Sequence, residues 1–167
     1  MDIETFRREL RSIAPKVGEL AARESAKTAS YNLIERNPSS TVVVGDRTLS
    51  DLFSKFDPSS LEIGMVRFPP EPTEVDNGWV VAIDEADPII LSNSSGRLHV
   101  EDHASPGFVI CECAIDGGAF LSALLPLARY LSEWPRLESA ADVLNDCVER
   151  AGGEAFRSFY RTLLRAY

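Results

Sequence analysis

Three strand-like runs separated by two short turns constrain the fold more than any other feature of the chain. Trp79-Val80-Val81-Ala82-Ile83 is apolar and rich in β-branched residues, so it reads as a strand buried on both faces. Asp84-Glu85-Ala86-Asp87-Pro88 is a turn, and Ile89-Ile90-Leu91 is a second strand. Asn93-Ser94-Ser95-Gly96 is a second turn, with Gly96 free to take a positive φ. Arg97-Leu98-His99-Val100 then alternates polar and apolar as a third strand. Turns this short connect neighbours in an antiparallel meander. Phe108-Val109-Ile110-Cys111 either adds a strand or leads into the next helix.

Helical patterns flank this centre. Ile3, Phe6, Leu10 and Ile13 recur at helical spacing, and Pro15 ends or kinks that helix. A second, Ala-rich helix is expected from about Lys16 to Glu35, closed by the turn residues Asn37-Pro38-Ser39-Ser40. Thr41-Val42-Val43-Val44 is either a strand or a buried segment. Ser50 to Phe56 reads as a short helix capped by Ser50. Leu61 to Phe68 alternates in part, and Pro69-Pro70-Glu71-Pro72 is a loop or a short extended edge, since successive prolines lack ladder donors. Asp116 can cap a broadly apolar helix over Ala119 to about Glu133, which contains Pro126 and ends at Trp134-Pro135. Ser139 to Ala151 forms another helix, stopped by Gly152-Gly153. The last spans Glu154 to Ala166, with Phe156, Phe159, Tyr160, Leu163 and Leu164 on one face. Helices, a meander and helices again give an α+β order: a helical region over residues 1–40, a strand-rich centre over 41–113 and helices over 116–167, in one domain.

Charge is distributed unevenly over these parts. The net formal charge is −9, and residues 45–116 carry four basic and fourteen acidic side chains. The two flanks are close to neutral. An acidic centre repels a phosphate backbone, which disfavours direct nucleic-acid binding, and steers a basic protein partner. Acidity also serves plain solubility. No apolar run approaches the length of a membrane span, no secretory signal is visible, and three cysteines in 167 residues fit a reducing compartment, so the cytoplasm is expected.

The residues that could carry chemistry are few. His99, His103, Cys111 and Cys113 are the soft ligands close in sequence, and a strand pairing could bring them together for a zinc ion or a Cys–His nucleophile. The spacing matches no zinc knuckle, and free cysteines usually serve as small buried hydrophobes, so neither a metal nor a cofactor is expected. Asp84, Glu85 and Asp87 lack the ligand spacing of a calcium loop and read as a solvated turn. Gly117-Gly118 precedes a helix but lacks phosphate-loop spacing, and Asp116 beside it opposes an anion. Arg157, Arg161 and Arg165 form a solvated basic ridge on the last helix. No catalytic site is legible.

From Ile63 to Leu131 the order of features resembles the SUKH superfamily, named for the SMI1/KNR4 proteins. The resemblance is carried by a short apolar strand with Gly64, the strand Trp79 to Ile83, an acidic turn, and Asp87-Pro88-Ile89-Ile90, which looks like the family's Asp-Pro-Ile strand entry. Leu98-His99-Val100, the helix with Phe120-Leu121, and the tail Ala151-Gly152-Gly153-Glu154 with Phe159-Tyr160 complete it. The resemblance implies an antiparallel sheet packed by helices and no shared catalytic residues. It also implies a bacterial immunity protein that neutralises a cognate toxin, often a nuclease or deaminase, or else an adaptor. The side chains expected to meet a basic toxin domain are Glu71, Glu74, Asp76, Asp84, Glu85, Asp87, Glu101 and Asp102.

Overall fold

The computed structural model describes residues 1–13, 31, 33–36, 42–133 and 139–165. The expected turn at 37–40, Pro15, Trp134-Pro135 and most of the Ala-rich helix lie outside them.

Helix α1 (Ile3–Ile13) buries Ile3, Phe6 and Leu10, one face of its period. Ile34–Glu35, expected as the end of a helix, is instead a two-residue strand, β1. Val42 to Val44 has no regular structure; Val44 is buried and its N–H donates to Ser50 Oγ. Helix α2 (Arg47–Lys55) starts three residues before the expected cap. Asp46 is the N-cap, accepting from Leu49 N at 2.9 Å, which leaves Ser50 Oγ for the preceding loop. β2 (Phe56–Asp57) pairs with β1. Leu61 to Phe68 is a tight hairpin and not one alternating strand: β3 (Glu62–Ile63) and β4 (Val66–Arg67) pair antiparallel around Gly64, whose φ is 63°.

A strand absent from the sequence reading follows the prolines, β5 (Thr73–Val75). The meander is β6 (Gly78–Asp84), β7 (Asp87–Ser92) and β8 (Leu98–Glu101), and Phe108 to Cys111 belongs with a further strand, β9 (Val109–Ala114). The seven-stranded sheet runs β3-β4-β6-β7-β8-β9, with β5 pairing the start of β6, and every pairing is antiparallel. Gly78 is required where β6 crosses β7, since a Cβ there would lie 2.0 Å from the Leu91 carbonyl oxygen.

Helix α3 (Gly117–Ser132) begins at the expected cap, Asp116, and is buried along most of its length, Pro126 included. Gly117 and Gly118 serve close packing and not an anion. A Cβ on Gly117 would meet Asp46 Oδ1 at 2.4 Å, and one on Gly118 would meet the Met1 backbone. Gly117 N donates to Asp46 Oδ2, so one carboxylate serves the first turns of both α2 and α3. Helix α4 (Ala140–Ala151) starts at Ser139 and stops at Gly152, which has the left-handed φ of 111° that a side chain would strain. A 3₁₀ turn (Glu154–Phe156) leads into α5 (Arg157–Arg165). Tyr160 OH donates to the Cys113 carbonyl, tying α5 to β9. On the ridge, Arg157 is ion-paired with Glu154 and also donates to Asn145. The chain is thus an α+β fold with helices packed on an antiparallel sheet, as expected.

The core lies between α3 and one face of that sheet. Ile89, Leu91, Leu98, Val100 and Cys113 point into it with Phe120, Leu124 and Phe159. The opposite face carries the site described next.

Candidate functional site: an acidic cleft on the outer sheet face

A β-bulge shapes this face. The register between β6 and β7 shifts between Val80 and Ala82, so Val81 is an extra residue. Val81 and Ala82 both enter the core, while Val80 and Ile83, three residues apart, both reach the outer face. A regular strand would send Val80 and Ile83 to opposite sides. The strand is therefore not buried on both faces as expected: Trp79, Val80 and Ile83 remain partly exposed.

Val80, Ile83, Pro88 and Ile90 form the apolar floor of an open cleft of about 860 Å³. Around it stand Glu74, Asp76, Asn77, Glu101, Asp102 and His103, with Asn77 Nδ2 bonded directly to Glu101. Among the described residues no lysine or arginine lines the cleft. Four of the eight acidic residues singled out from sequence therefore converge: Glu74, Asp76, Glu101 and Asp102. The other four lie apart from the lining. Glu71 pairs with Arg36 at 3.3 Å. Glu85 takes φ 53° at the β6–β7 turn, where its carbonyl accepts from Arg67. Asp84 is half-buried with Oδ1 lacking a partner, and burial, followed by repulsion from Glu85 and Asp87, raises its pKa to about 6. Asp87 holds His103 at the rim.

Glu101 is the most confined of these acids. Its side chain is 6% exposed, and it accepts from Asn77 Nδ2, His99 Nε2 (3.0 Å) and Gly107 N (2.9 Å). Burial opposes its charge, but the bonds from His99, Gly107 and Asn77 outweigh this and hold its pKa below the ordinary value. An ionised carboxylate only accepts, so His99 Nε2 carries the proton. The loop 102–107 is closed by the Asp102 N–H to the Phe108 carbonyl and by Glu101 to Gly107. The cleft wall is therefore preset by backbone and side chain together.

His103 Nδ1 lies 2.6 Å from Asp87 Oδ1, which also accepts the His103 N–H. The side-chain bond to Asp87 raises the His103 pKa, with the charges of Asp87 and Asp102 adding to it. Asp87, Asp102 and His103 have ligand atoms within 4.8 Å of one another, but their mutual ion pairing accounts for that grouping.

The four soft ligands do not converge. His99 lies opposite Glu112 and Val100 opposite Cys111, which puts His99 on the outer face and Cys111 against the core. Cys113 is wholly buried and His103 is on the rim. Burial raises the Cys111 thiol to about 11, with Asp84 adding to it, and holds Cys113 well above the ordinary thiol value. Burial likewise raises Cys147 to about 12. All three are neutral thiols, poor nucleophiles and poor ligands as they stand.

Among the described residues, no helix is long and apolar enough to cross a membrane. No family model matches the chain, and comparison with curated proteins and with solved structures returns no match.

Proposed function

We propose that this chain is a non-catalytic protein-binding domain, acting in the cytoplasm as an immunity protein that binds and neutralises a basic toxin domain through the acidic outer face of its sheet. The observation that carries this reading is the cleft itself: an apolar floor, carboxylates around it and, among the described residues, no lysine or arginine in its lining. Such a surface gives desolvated apolar contact at the centre and charge steering at the rim. A nuclease-like toxin, basic where it meets phosphate, supplies the complementary field. Occlusion of that basic surface blocks the toxin without any chemistry on this side.

The test is growth rescue. Expressed with a toxin encoded beside its gene, the chain restores growth, and the triple change Glu74→Lys, Asp76→Lys and Asp102→Lys abolishes the rescue. In solution the same variant associates at least tenfold more slowly at low salt and with a flatter salt dependence. Undiminished rescue by the triple variant removes the cleft from the interface. A gene with no toxin beside it moves the reading to an adaptor or regulatory domain that uses the same face.

A further inference from the structure

Resting on that reading, we infer that the cleft is a lysine socket: one lysine side chain of the partner protein enters it, with its methylenes on the apolar floor and its ammonium on Glu101. Three observations converge on this occupant.

The first is charge. Glu74, Asp76, Glu101 and Asp102 line the cleft, and among the described residues no lysine or arginine lines it with them. His103, the one basic group at the rim among the described residues, is committed to Asp87. The occupant is a cation.

The second is shape and polarity. Val80, Ile83 and Pro88, each partly exposed, form a floor that a long aliphatic stem covers while its charged end reaches the wall. Ile90 is buried beneath this floor and stands outside the main core, so the apolar surface that remains open belongs to Val80, Ile83 and Pro88.

The third distinguishes lysine from arginine. Glu101 Oε1 already accepts from Asn77 Nδ2 and His99 Nε2, while Oε2 accepts from Gly107 N alone. A carboxylate has about four lone-pair sites, two on each oxygen, so one acceptor position remains, on Oε2. A guanidinium reaches full strength through two parallel bonds to two free oxygens, which Glu101 no longer offers. An ammonium is a compact charge that needs one good acceptor and takes its remaining partners from water or neighbouring carboxylates. The exposed Glu74 and Asp76 and the partly exposed Asp102 stand around an open mouth, where they act on a surface wider than one side chain. That assigns the lysine to a protein and not to a free amine.

Short blocked peptides Gly-Ser-Lys-Ser-Gly, their Arg and Nε-acetyl-lysine counterparts, and butane-1,4-diamine are titrated into the full ¹⁵N-labelled chain and followed by NMR. The lysine peptide is expected to shift the Gly107 amide, the Asn77 side-chain amide and the Val80 and Ile90 amides. The arginine peptide binds at least fivefold more weakly, and the acetylated peptide and the diamine weaker still. Glu101→Gln keeps the side-chain volume and weakens the lysine peptide at least tenfold. Val80→Phe, which leaves Glu101 in place but fills the floor, does the same and serves if Glu101→Gln fails to fold.

Equal binding of arginine, or unchanged binding by either folded variant, overturns the socket. A diamine that binds more tightly than the peptide overturns the protein source of the amine. These outcomes are separate from the growth test: loss of rescue in the triple wall variant together with full rescue by Glu101→Gln keeps the interface and removes the socket.

Discussion

The two faces of one sheet solve opposite problems with the same strands. On the inner face Ile89, Leu91, Leu98 and Val100 are buried in one apolar cluster with residues of α3. On the outer face Ile90 is buried, Val80, Ile83 and Pro88 stay partly exposed, and charged residues stand around what they leave open. Alternation alone would make the second face polar and solvated. Here it is apolar at the centre and acidic at the rim, and the acid nearest the floor is held by three donors. The inner face contributes stability; the outer face buries Ile90, His99 and Glu101 and keeps Val80, Ile83 and Pro88 partly open.

The largest effect separates the faces by truncation. Leu124→Ala removes a side chain that is wholly buried in α3 and is expected to cost about 3 kcal/mol or more, from lost transfer energy and the cavity left behind. Val80→Ala removes methyl groups from a half-open floor and is expected to cost about 1 kcal/mol or less. Urea denaturation of both variants, with matched slopes, measures the difference. Equal losses would mean that the outer face is core in all but name, and the comparison would fail.

How much of this contrast was legible depends on which physical rule carried each part. The meander, the caps Asp116 and Ser139, and the stop at Gly152 follow from local chemistry, which a sequence displays directly. β5 was hidden because Thr73-Glu74-Val75 is short, acidic and preceded by prolines; pairing with β6, not propensity, makes it a strand. The α2 cap was misplaced because Asp46 and Ser50 are both capping residues and only the tertiary partner of each, Leu49 N or Val44 N, decides. The segment charge count found the acidic region but not its face. It ranked Asp84 and Glu85 with Glu74 and Glu101, because neither the bulge at Val81 nor the strand register leaves a mark in composition. For the same reason the proximity of His99 to Cys111 in sequence carried no information: one residue of register puts them on opposite faces.

A smaller effect tests the border between the faces, where Asp84 ends β6 half-buried and with one oxygen unpartnered. Its pKa, raised from 3.8 to about 6 by burial and then by Glu85 and Asp87, makes the folded chain bind more protons than the unfolded chain between those values. Stability from this group is therefore present at low pH and is lost as pH rises from about 4 to 6. Asp84→Asn removes that loss. With the group's partial exposure discounted, the variant is expected to gain about 1 kcal/mol at pH 7 and nothing at pH 3, by urea midpoints at each pH. A variant less stable than the parent at pH 7 would show that the Asp84 carboxylate has a favourable partner after all.

The smallest effect is at the rim, where His103 and Asp87 sit in solvent. The Asp87 hydrogen bond raises the His103 pKa above 6.5, and the His103 backbone N–H, then its side chain, lower that of Asp87 below 3.8. The signs differ for the two partners. The His103 contribution is complete below its unfolded value and is lost as pH rises through the folded value. The Asp87 contribution is complete above its unfolded value and is lost as pH falls through the folded one. The pair is therefore at full strength between about pH 4 and 6.5 and weakens on either side. In Asp87→Asn the His103 ring is expected to titrate nearer its ordinary value by NMR, with the shift of the Gly107 amide unchanged. Movement of Gly107 would tie the exposed pair to the Glu101 wall, and the rim would then be part of the preset cleft and not a solvated latch beside it.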